Sequence, residues 1–225
     1  MMHLALAVLL LAEVAAPSGY LTDLQAEMQK VWPRNRTINI VAHGHSVPAG
    51  YFKTPFVNTF EAYPHLLHRA LKDTYPNAVI NMIVTAIGGE NSEQGAKRFQ
   101  RDVLDHHPDV ILIDYGLNDR RIGLDRARKA WIHMIRAAQV RKIRVILLTP
   151  TPDDKTDLSD PNAPLVLQAA QIRALAAQFG VGLADSLKAF EGKDVHDFLS
   201  QSNHPNLVGH QLVLGQVTPY FIKKN

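Results

Sequence analysis

One stretch of the chain constrains the fold more than any other, and it lies at residues 109–114. Four consecutive apolar residues, Val-Ile-Leu-Ile, stand there between two aspartates. A strand with one face in water alternates apolar and polar residues, whereas a strand buried on both faces is apolar throughout. The stretch therefore predicts a strand inside a parallel sheet that is covered on both faces.

Short apolar runs and longer helical patterns alternate along the rest of the chain. Four further runs have the length and composition of strands, at residues 37–42, 78–84, 144–148 and 181–185. Helical patterns separate them, at residues 23–31, 60–74, 92–104, 124–139 and 165–179, and a closing helix begins near residue 207. No hairpin turn signal joins two strands. This order predicts an α/β fold, a three-layer α/β/α sandwich around a five-stranded parallel sheet with right-handed crossovers.

Capping signals mark several helix ends. Thr22 and Asn58 each stand three residues before a Gln or a Glu, which is the capping-box pattern. Gly180 follows the pattern at 165–179 and is typical of a left-handed C-cap. These signals predict helices that start just after Thr22 and Asn58 and one that ends at Gly180.

Composition excludes several classes of function. The 225 residues are 46% hydrophobic without any shift in composition, which predicts a single domain over residues 20–225. The net charge of +3 is spread along the chain, so neither nucleic acid nor a membrane surface is an expected partner. The chain has no cysteine, which excludes disulfides, thiolate catalysis and Cys-ligated zinc.

The amino-terminal segment, residues 1–19, has two interpretations. Its apolar run at residues 4–11 is followed by small residues, as in the core and cleavage region of a signal peptide. The segment before the run has no Lys or Arg, however, and Glu13 and Pro17 stand awkwardly for cleavage, which fits an ordinary helix. The run is too short to span a bilayer, so no membrane anchor is predicted. We favour secretion or a periplasmic location, with a cytoplasmic one if residues 1–19 form a helix.

Unusual polar loops follow the predicted strands. Ser46 stands after the first strand in a turn rich in Gly and Pro, and Gly88 and Gly89 stand after the second. Asn118 follows the third strand, and His204 comes after the fifth. Because ligands bind at the carboxyl ends of the strands in open α/β sheets, these loops are expected to surround one crevice.

The residue types in these loops match the requirements of acyl transfer. A serine hydroxyl needs a base within hydrogen-bond reach and donors directed at the oxyanion that forms on attack. Ser46 can attack and His204 can take its proton. The backbone N–H groups of Ser46 and Gly89 and the side-chain amide of Asn118 can hold the oxyanion.

Four separated blocks resemble the motifs of the SGNH hydrolases, the GDSL esterase/lipase family. The blocks are Gly-His-Ser-Val at 44–47, Gly89, Gly-Leu-Asn-Asp at 116–119 and His-Pro-Asn at 204–206. They occur in the family's order and cover about residues 37–217. The resemblance implies a flavodoxin-like SGNH hydrolase fold without cofactor or metal. It also implies that Ser46 is the nucleophile, His204 the base, and Gly89 and Asn118 the oxyanion donors.

The chain departs from the family pattern at two positions. His45 stands where the first block has Asp, and Gln201 stands where the last block has the Asp that orients the catalytic histidine. Another group must then orient His204: a backbone carbonyl, the side-chain oxygen of Gln201, or Asp197. We favour a Ser-His dyad assisted by a backbone or amide oxygen, with Asp197 as the alternative.

Other side chains near the blocks have supporting roles in this interpretation. His45 is expected to hydrogen-bond the turn that aims Ser46, and His210 is expected to pack near the site. The histidines lack the spacing of a metal site, so no metal is predicted. The aromatic residues Tyr51, Phe52 and Phe56 either line a pocket for an acyl group or sugar or belong to the core.

The sequence thus predicts a serine esterase that works through an acyl-enzyme on a small-molecule or glycan ester, with a short acyl or acetyl group on a carbohydrate favoured. Lysophospholipase or thioesterase activity is an alternative within the same family. A catalytically weakened domain that binds acylated glycans is the alternative from another class, because Gln201 replaces a carboxylate. No oligomeric state is predicted.

Overall fold

The computed structural model describes residues 19–223, so the prediction for residues 1–19 lies outside the described residues except at Gly19. The strands are β1 (Thr37–Gly44), β2 (Val79–Val84), β3 (Val110–Asp114), β4 (Arg144–Leu148), β5 (Gly182–Ala184), β6 (Leu199–Gln201) and β7 (His204–Pro205). The longer helices are α1 (Thr22–Met28), α3 (Tyr63–Thr74), α4 (Ser92–Asp102), α6 (Leu124–Val140), α7 (Pro164–Phe179) and α9 (Leu207–Phe221). Three four-residue helices follow strands directly: α2 (Ser46–Ala49), α5 (Gly116–Asp119) and α8 (Ser186–Ala189).

The predicted five-stranded parallel sheet is confirmed, with strand order β2-β1-β3-β4-β5. In the register, Ile40 of β1 lies opposite Val110 of β3, and Val110 lies opposite Arg144 of β4. From β1 the chain adds β2 on one side of the sheet. It then adds β3, β4 and β5 in turn on the other side of β1. Loops after β1 and β3 therefore diverge and leave a crevice at the carboxyl edge, as in flavodoxin-like folds.

Helices cover both faces of the sheet, which confirms the three-layer architecture. One face packs against α1, α3 and α9, and the other packs against α4, α6 and α7. All five side chains of β3 are buried, because alternate residues such as Ile111 and Leu112 enter opposite layers. This placement explains the continuous apolar run.

Within residues 19–223, the structure contains no helix that is both long enough and apolar enough to cross a lipid bilayer.

Two capping predictions are wrong. Thr22 is the first residue of α1 rather than its cap, and α1 ends at Met28 because the following residues through Arg34 are exposed and have no apolar face to bury. The Asn58 amide donates to the Glu61 carboxylate at 3.0 Å instead of capping a helix. Residues 59–61 form a separate 3-10 turn, and α3 begins only at Tyr63, where Pro64 suits the first turn. Gly180 does form the predicted left-handed cap.

A small hairpin that the sequence did not predict carries His204. Strand β6 pairs antiparallel with β7, and Ser202, with φ of 21°, lies in the turn between them. The two strands have three and two residues. They are too short to show alternation, and their turn has none of the Gly-containing pairs that signal a hairpin.

Gly44 allows β1 and β3 to approach closely at the site. A Cβ at this position would overlap the carbonyl oxygen of Asp114 and lie 2.8 Å from the ring of Pro48. We therefore expect Gly44→Ala to lower the free energy of unfolding by about 1–3 kcal/mol, measured by urea denaturation.

The matched control is Gly215→Ala, at an exposed position of α9 where a Cβ would meet no protein atom. Alanine there should raise the free energy of unfolding by about 0.5–1 kcal/mol, since it costs less backbone entropy in a helix. Equal effects of the two substitutions would contradict the assigned role of Gly44.

Candidate active site

Ser46 begins the four-residue helix α2 immediately beyond β1. Its side chain is buried, with 5% of the residue exposed. The turn closes at Gly50, whose φ of 88° is left-handed and whose Cβ would lie 2.9 Å from the carbonyl oxygen of Asn58. Only glycine fits both conditions. The turn thus directs one hydroxyl into the crevice at the end of the sheet.

His204 lies against this hydroxyl. Its Nε2 is 3.1 Å from Ser46 Oγ, although the two residues are 158 positions apart in the sequence. The β6–β7 hairpin holds the imidazole from one side, and the ring of Tyr51 packs on it with a centroid distance of 5.8 Å. The predicted pair of hydroxyl and imidazole is therefore within hydrogen-bond reach.

The other imidazole nitrogen, Nδ1, has two polar neighbours. The carbonyl oxygen of Phe52 lies 3.2 Å away and the side-chain Nε2 of Gln201 lies 3.1 Å away. The amide of Gln201 is oriented by Thr54, whose backbone N–H donates to Oε1 at 2.9 Å. Since a backbone N–H can only donate, the atom it meets is the amide oxygen. Of the backbone and amide oxygens favoured from the sequence, the oxygen of Gln201 does not face His204, because it is bound to Thr54.

Phe52 supplies the backbone oxygen that the sequence left unassigned. It belongs to the 51–57 loop, in which Phe52 N–H donates to the Phe56 carbonyl at 3.1 Å and Tyr51 pairs with Val57. Asp197 lies in a 3-10 turn, where its carbonyl accepts from Asn206 Nδ2 at 2.8 Å. Within residues 19–223, the partners of His204 Nδ1 are Phe52 and Gln201, so Asp197 is not one of them.

The surroundings favour a neutral His204. Burial lowers the pKa of its imidazole below the ordinary value of 6.5, and nearby His45 acts in the same direction. The hydrogen bond to the Phe52 carbonyl raises the pKa; it is weaker than the effect of burial and stronger than that of His45. A neutral imidazole can accept a proton from Ser46, and the lowered pKa of His204 keeps the imidazole neutral at lower pH than an ordinary histidine.

His45 supports the turn that holds Ser46, as expected. Its Nδ1 accepts from Val47 N–H at 3.2 Å and lies 3.5 Å from Ser46 Oγ. Because Nδ1 is an acceptor, Nε2 of the neutral ring carries the hydrogen, and it lies 3.4 Å from Asp114 Oδ1. The sequence did not identify Asp114 as a neighbour of His45. The signal for it was a single carboxylate at the end of the apolar run of β3.

Asn118 is joined to the loop that carries Gly89. Asn118 lies in the short helix α5 after β3, and its Nδ2 donates to the carbonyl of Glu90 at 2.9 Å. Gly89 has φ of 76°, which a residue with a side chain rarely adopts. The loop is joined to β1 through Ile87 N–H, which donates to the Gly44 carbonyl at 3.0 Å. The Asn118 amide has a second N–H, which a ligand oxygen can accept from.

A buried polar network holds this loop, and the sequence gave no signal for it. The Glu90 carboxylate accepts from Arg98 Nε at 2.8 Å and from the Tyr115 hydroxyl at 2.8 Å. The same hydroxyl lies 3.1 Å from His43 Nε2. Burial lowers the pKa of His43 to about 3 and raises that of Tyr115. The network therefore connects β1, the loop after β2 and the end of β3 beneath the crevice.

His210 and the aromatic residues take different places. His210 Nδ1 accepts from Tyr63 N–H at 3.3 Å, and burial lowers its pKa to about 4, so it packs below the site. Tyr51 is 39% exposed and Phe56 is 65% exposed. Tyr51 and Phe56 therefore lie at the surface beside the crevice rather than in the core.

In the described part of the chain, no three or more His, Asp or Glu side chains are grouped as they would be to hold a metal ion.

Comparison with solved structures supports the same fold. Axe2, an acetylxylan esterase from Geobacillus stearothermophilus, superposes with a TM-score of 0.73 at 17% identity, over 83% of this chain and 95% of Axe2. A two-domain esterase, CEX, described as active on acetylated mannans, superposes with a TM-score of 0.71 at 18% identity, over 92% of this chain and 53% of CEX. At such identities these likenesses concern the fold.

Sequence comparisons give one curated relative and one family. The relative is YqeF of Bacillus subtilis strain 168, an uncharacterized lipoprotein, which is 31% identical over 81 residues; the match spans 32% of this chain and 33% of YqeF. The family model for GDSL-like lipases and acylhydrolases matches residues 42–212. That match includes all four blocks named from the sequence. The chain therefore belongs to the GDSL-like lipase/acylhydrolase family, whose members with these blocks are the SGNH hydrolases.

Proposed function

We propose that this carboxylic ester hydrolase is a serine esterase that removes short acyl groups, chiefly acetyl, from carbohydrates through an acyl-enzyme. The observation that carries the proposal is the 3.1 Å contact between Ser46 Oγ and His204 Nε2. Two polar side chains that are 158 positions apart in the sequence meet there at the carboxyl edge of the sheet. Such a pair activates a hydroxyl that is otherwise a poor nucleophile.

The proposed reaction proceeds in two steps. Ser46 Oγ attacks the ester carbonyl while His204 Nε2 takes its proton, and His204 then gives that proton to the departing alcohol. Water attacks the acyl-enzyme by the reverse route and releases the acid. The backbone N–H groups of Ser46 and Gly89 and the amide of Asn118 are the proposed donors to the oxyanion.

The Phe52 carbonyl takes the place of the missing carboxylate in this mechanism. At 3.2 Å from Nδ1 it can accept the Nδ1 hydrogen, which leaves the Nε2 lone pair directed at Ser46. A carbonyl carries no charge, so it stabilises the imidazolium less than a carboxylate does. The proposed enzyme therefore has a weaker base than one with the complete Ser-His-Asp arrangement.

Two kinds of observation support an acetylated carbohydrate as the substrate. The names of Axe2 and CEX refer to acetylated xylan and mannan, and both share this fold. Tyr51 and Phe56 also present exposed rings beside the crevice, where an aromatic face can pack on a sugar. Such polysaccharides lie outside cells, and the lipoprotein YqeF and the apolar run at residues 4–11 agree with export.

One observation favours the alternative of a weakened domain that binds acylated glycans. The amide nitrogen of Gln201, rather than an acceptor, lies 3.1 Å from His204 Nδ1. A donor at this position opposes the protonated imidazole that the reaction needs. Turnover and binding must therefore be measured together.

Loss of the Ser46 hydroxyl tests the function directly. We expect Ser46→Ala to lower kcat for p-nitrophenyl acetate by roughly 10⁴-fold or more, because the nucleophile is absent. Ser186→Ala is the control, since this serine is equally buried and its hydroxyl bonds to no described residue. It should retain wild-type turnover.

Equal slow hydrolysis by wild type and Ser46→Ala would remove the esterase proposal, and calorimetric binding of acetylated xylo-oligosaccharide would then test the binding alternative. A series of p-nitrophenyl esters of increasing chain length separates a short-acyl esterase from a lysophospholipase. Acetate release from acetylated xylan and mannan tests the carbohydrate substrate.

The pH dependence of kcat/KM follows from the lowered pKa of His204. The base must be neutral to act, so activity should persist as pH falls through 6.5 and should decline only at lower pH. The measurement is a pH profile of kcat/KM with p-nitrophenyl acetate. An acid limb at or above 6.5 would contradict the proposed environment of His204.

The Tyr115 hydroxyl is proposed to position the oxyanion loop through Glu90. Tyr115→Phe should lower kcat on the order of tenfold with little change in KM, because the loop supports the transition state more than the bound ester. Tyr75→Phe is the matched control, since it removes a buried hydroxyl that donates to the Phe221 carbonyl at 2.7 Å in the helical layer. If both variants lose stability alike and neither loses kcat, the positioning role is wrong.

A further inference from the structure

Nδ1 of His204 faces one hydrogen-bond acceptor and one donor. The Phe52 carbonyl at 3.2 Å is satisfied only when Nδ1 carries a hydrogen. The Gln201 amide nitrogen, 3.1 Å away, can donate to Nδ1 only when Nδ1 is bare. A neutral imidazole has one hydrogen to place on its two nitrogens, so the two neighbours favour opposite tautomers.

Gln201 cannot relieve this conflict by turning its amide over. Its Oε1 accepts from Thr54 N–H at 2.9 Å, and its Nε2 donates to Thr54 Oγ1 at 3.1 Å. A reversed amide would place the NH₂ group against the Thr54 N–H, with two donors facing each other. Thr54 therefore holds the donor of Gln201 toward His204.

Each tautomer satisfies one neighbour of Nδ1 and leaves the other without that hydrogen bond. In the reactive arrangement, His204 Nδ1–H donates to Phe52 and the Ser46 hydroxyl donates to Nε2. In the reversed arrangement, Gln201 donates to Nδ1, and Nε2–H donates to Ser46 Oγ. The Ser46 hydrogen then points away from Nε2, and His45 Nδ1, 3.5 Å from Oγ, already accepts from Val47 N–H. Nε2 has no lone pair for the serine proton in this second state.

We propose that Gln201 is a positioning residue that draws His204 into the reversed, unreactive tautomer and so limits the fraction of enzyme able to attack an ester. The proposal rests on the esterase function proposed above for Ser46 and His204. It assigns to Gln201 a restraining effect on the rate, in contrast to the supporting effect of a carboxylate at the same position.

The same contact opposes the charged state. When His204 takes the proton of Ser46, both ring nitrogens carry hydrogens, and Nδ1–H then faces the NH₂ group of Gln201. Within residues 19–223, the titratable groups that contact the imidazole or act on it electrostatically are Tyr51, His45 and His210. None of these is a carboxylate, so the Phe52 carbonyl is the acceptor available to Nδ1.

Gln201→Glu tests the proposal with almost no change in shape. One carboxylate oxygen keeps the bond from Thr54 N–H, and the other replaces the NH₂ group as an acceptor for Nδ1–H and for the Thr54 hydroxyl. We expect kcat/KM for p-nitrophenyl acetate, measured above the His204 pKa, to rise on the order of tenfold. The acid limb of the profile should move to higher pH, because a carboxylate stabilises the imidazolium.

The tautomer itself can be measured without any turnover. In ¹⁵N-histidine-labelled protein, the His204 signals are identified by their loss in His204→Asn, and their shifts report which nitrogen carries the hydrogen. Wild type should show a substantial population with bare Nδ1, and Gln201→Glu should show Nδ1 fully protonated. Gln201→Met, which removes the donor without adding charge, should also protonate Nδ1.

Two results overturn the proposal: a wild-type Nδ1 that is already fully protonated, or a kcat/KM of Gln201→Glu no higher than that of wild type. Failure of the esterase function gives a different pattern. In that case Ser46→Ala matches wild type in turnover, while the ¹⁵N shifts of wild type, Gln201→Glu and Gln201→Met still decide whether Gln201 sets the tautomer.

Discussion

The structure depends on one constraint, the burial of a parallel sheet on both faces. Every side chain of β3 is enclosed by helices, so no polar group can be placed in the middle of this central strand without losing water. The side chains proposed for catalysis accordingly lie beyond the strand ends. Divergence of the chain between β1 and β3 then opens a crevice at one edge, and the loops that carry Ser46 and Asn118 border it.

Buried polar contacts turn these loops into a fixed site. Glu90 is held by Arg98 and Tyr115, and its carbonyl receives the amide of Asn118. A buried donor or acceptor left without a partner costs about 1–3 kcal/mol, so each contact resists displacement of its loop. The surroundings of His204 are different, because one of its two Nδ1 neighbours opposes the other.

Side-chain patterns explain why much of this could be predicted from the sequence. The apolar runs determine the sheet, the sheet gathers the loops, and the residue types in the loops indicated Ser46 and His204 together. The oxyanion residues Gly89 and Asn118 were named in the same way, and their roles stay proposals. Element ends were less predictable, since Asn58 binds the side chain of Glu61 rather than a helix backbone.

What could not be predicted depends on the main chain and on long-range contacts. Every residue has a backbone carbonyl, so no residue type within 51–57 marks Phe52 as the neighbour of His204. The orientation of the Gln201 amide depends on Thr54, which is 147 positions away. Glu90, Arg98 and Tyr115 come from three separate elements, and only the packing of α4 against the sheet brings them together.

The 51–57 loop performs two tasks with adjacent residues. Tyr51 forms part of the wall of the crevice, and the next residue presents its carbonyl to His204. The ring that a ligand would contact and the oxygen that accepts from Nδ1 therefore stand on adjacent residues of the same loop. For the proposed sugar substrate, contact with Tyr51 and the proton affinity of the imidazole would thus be coupled through two neighbouring residues of one short loop.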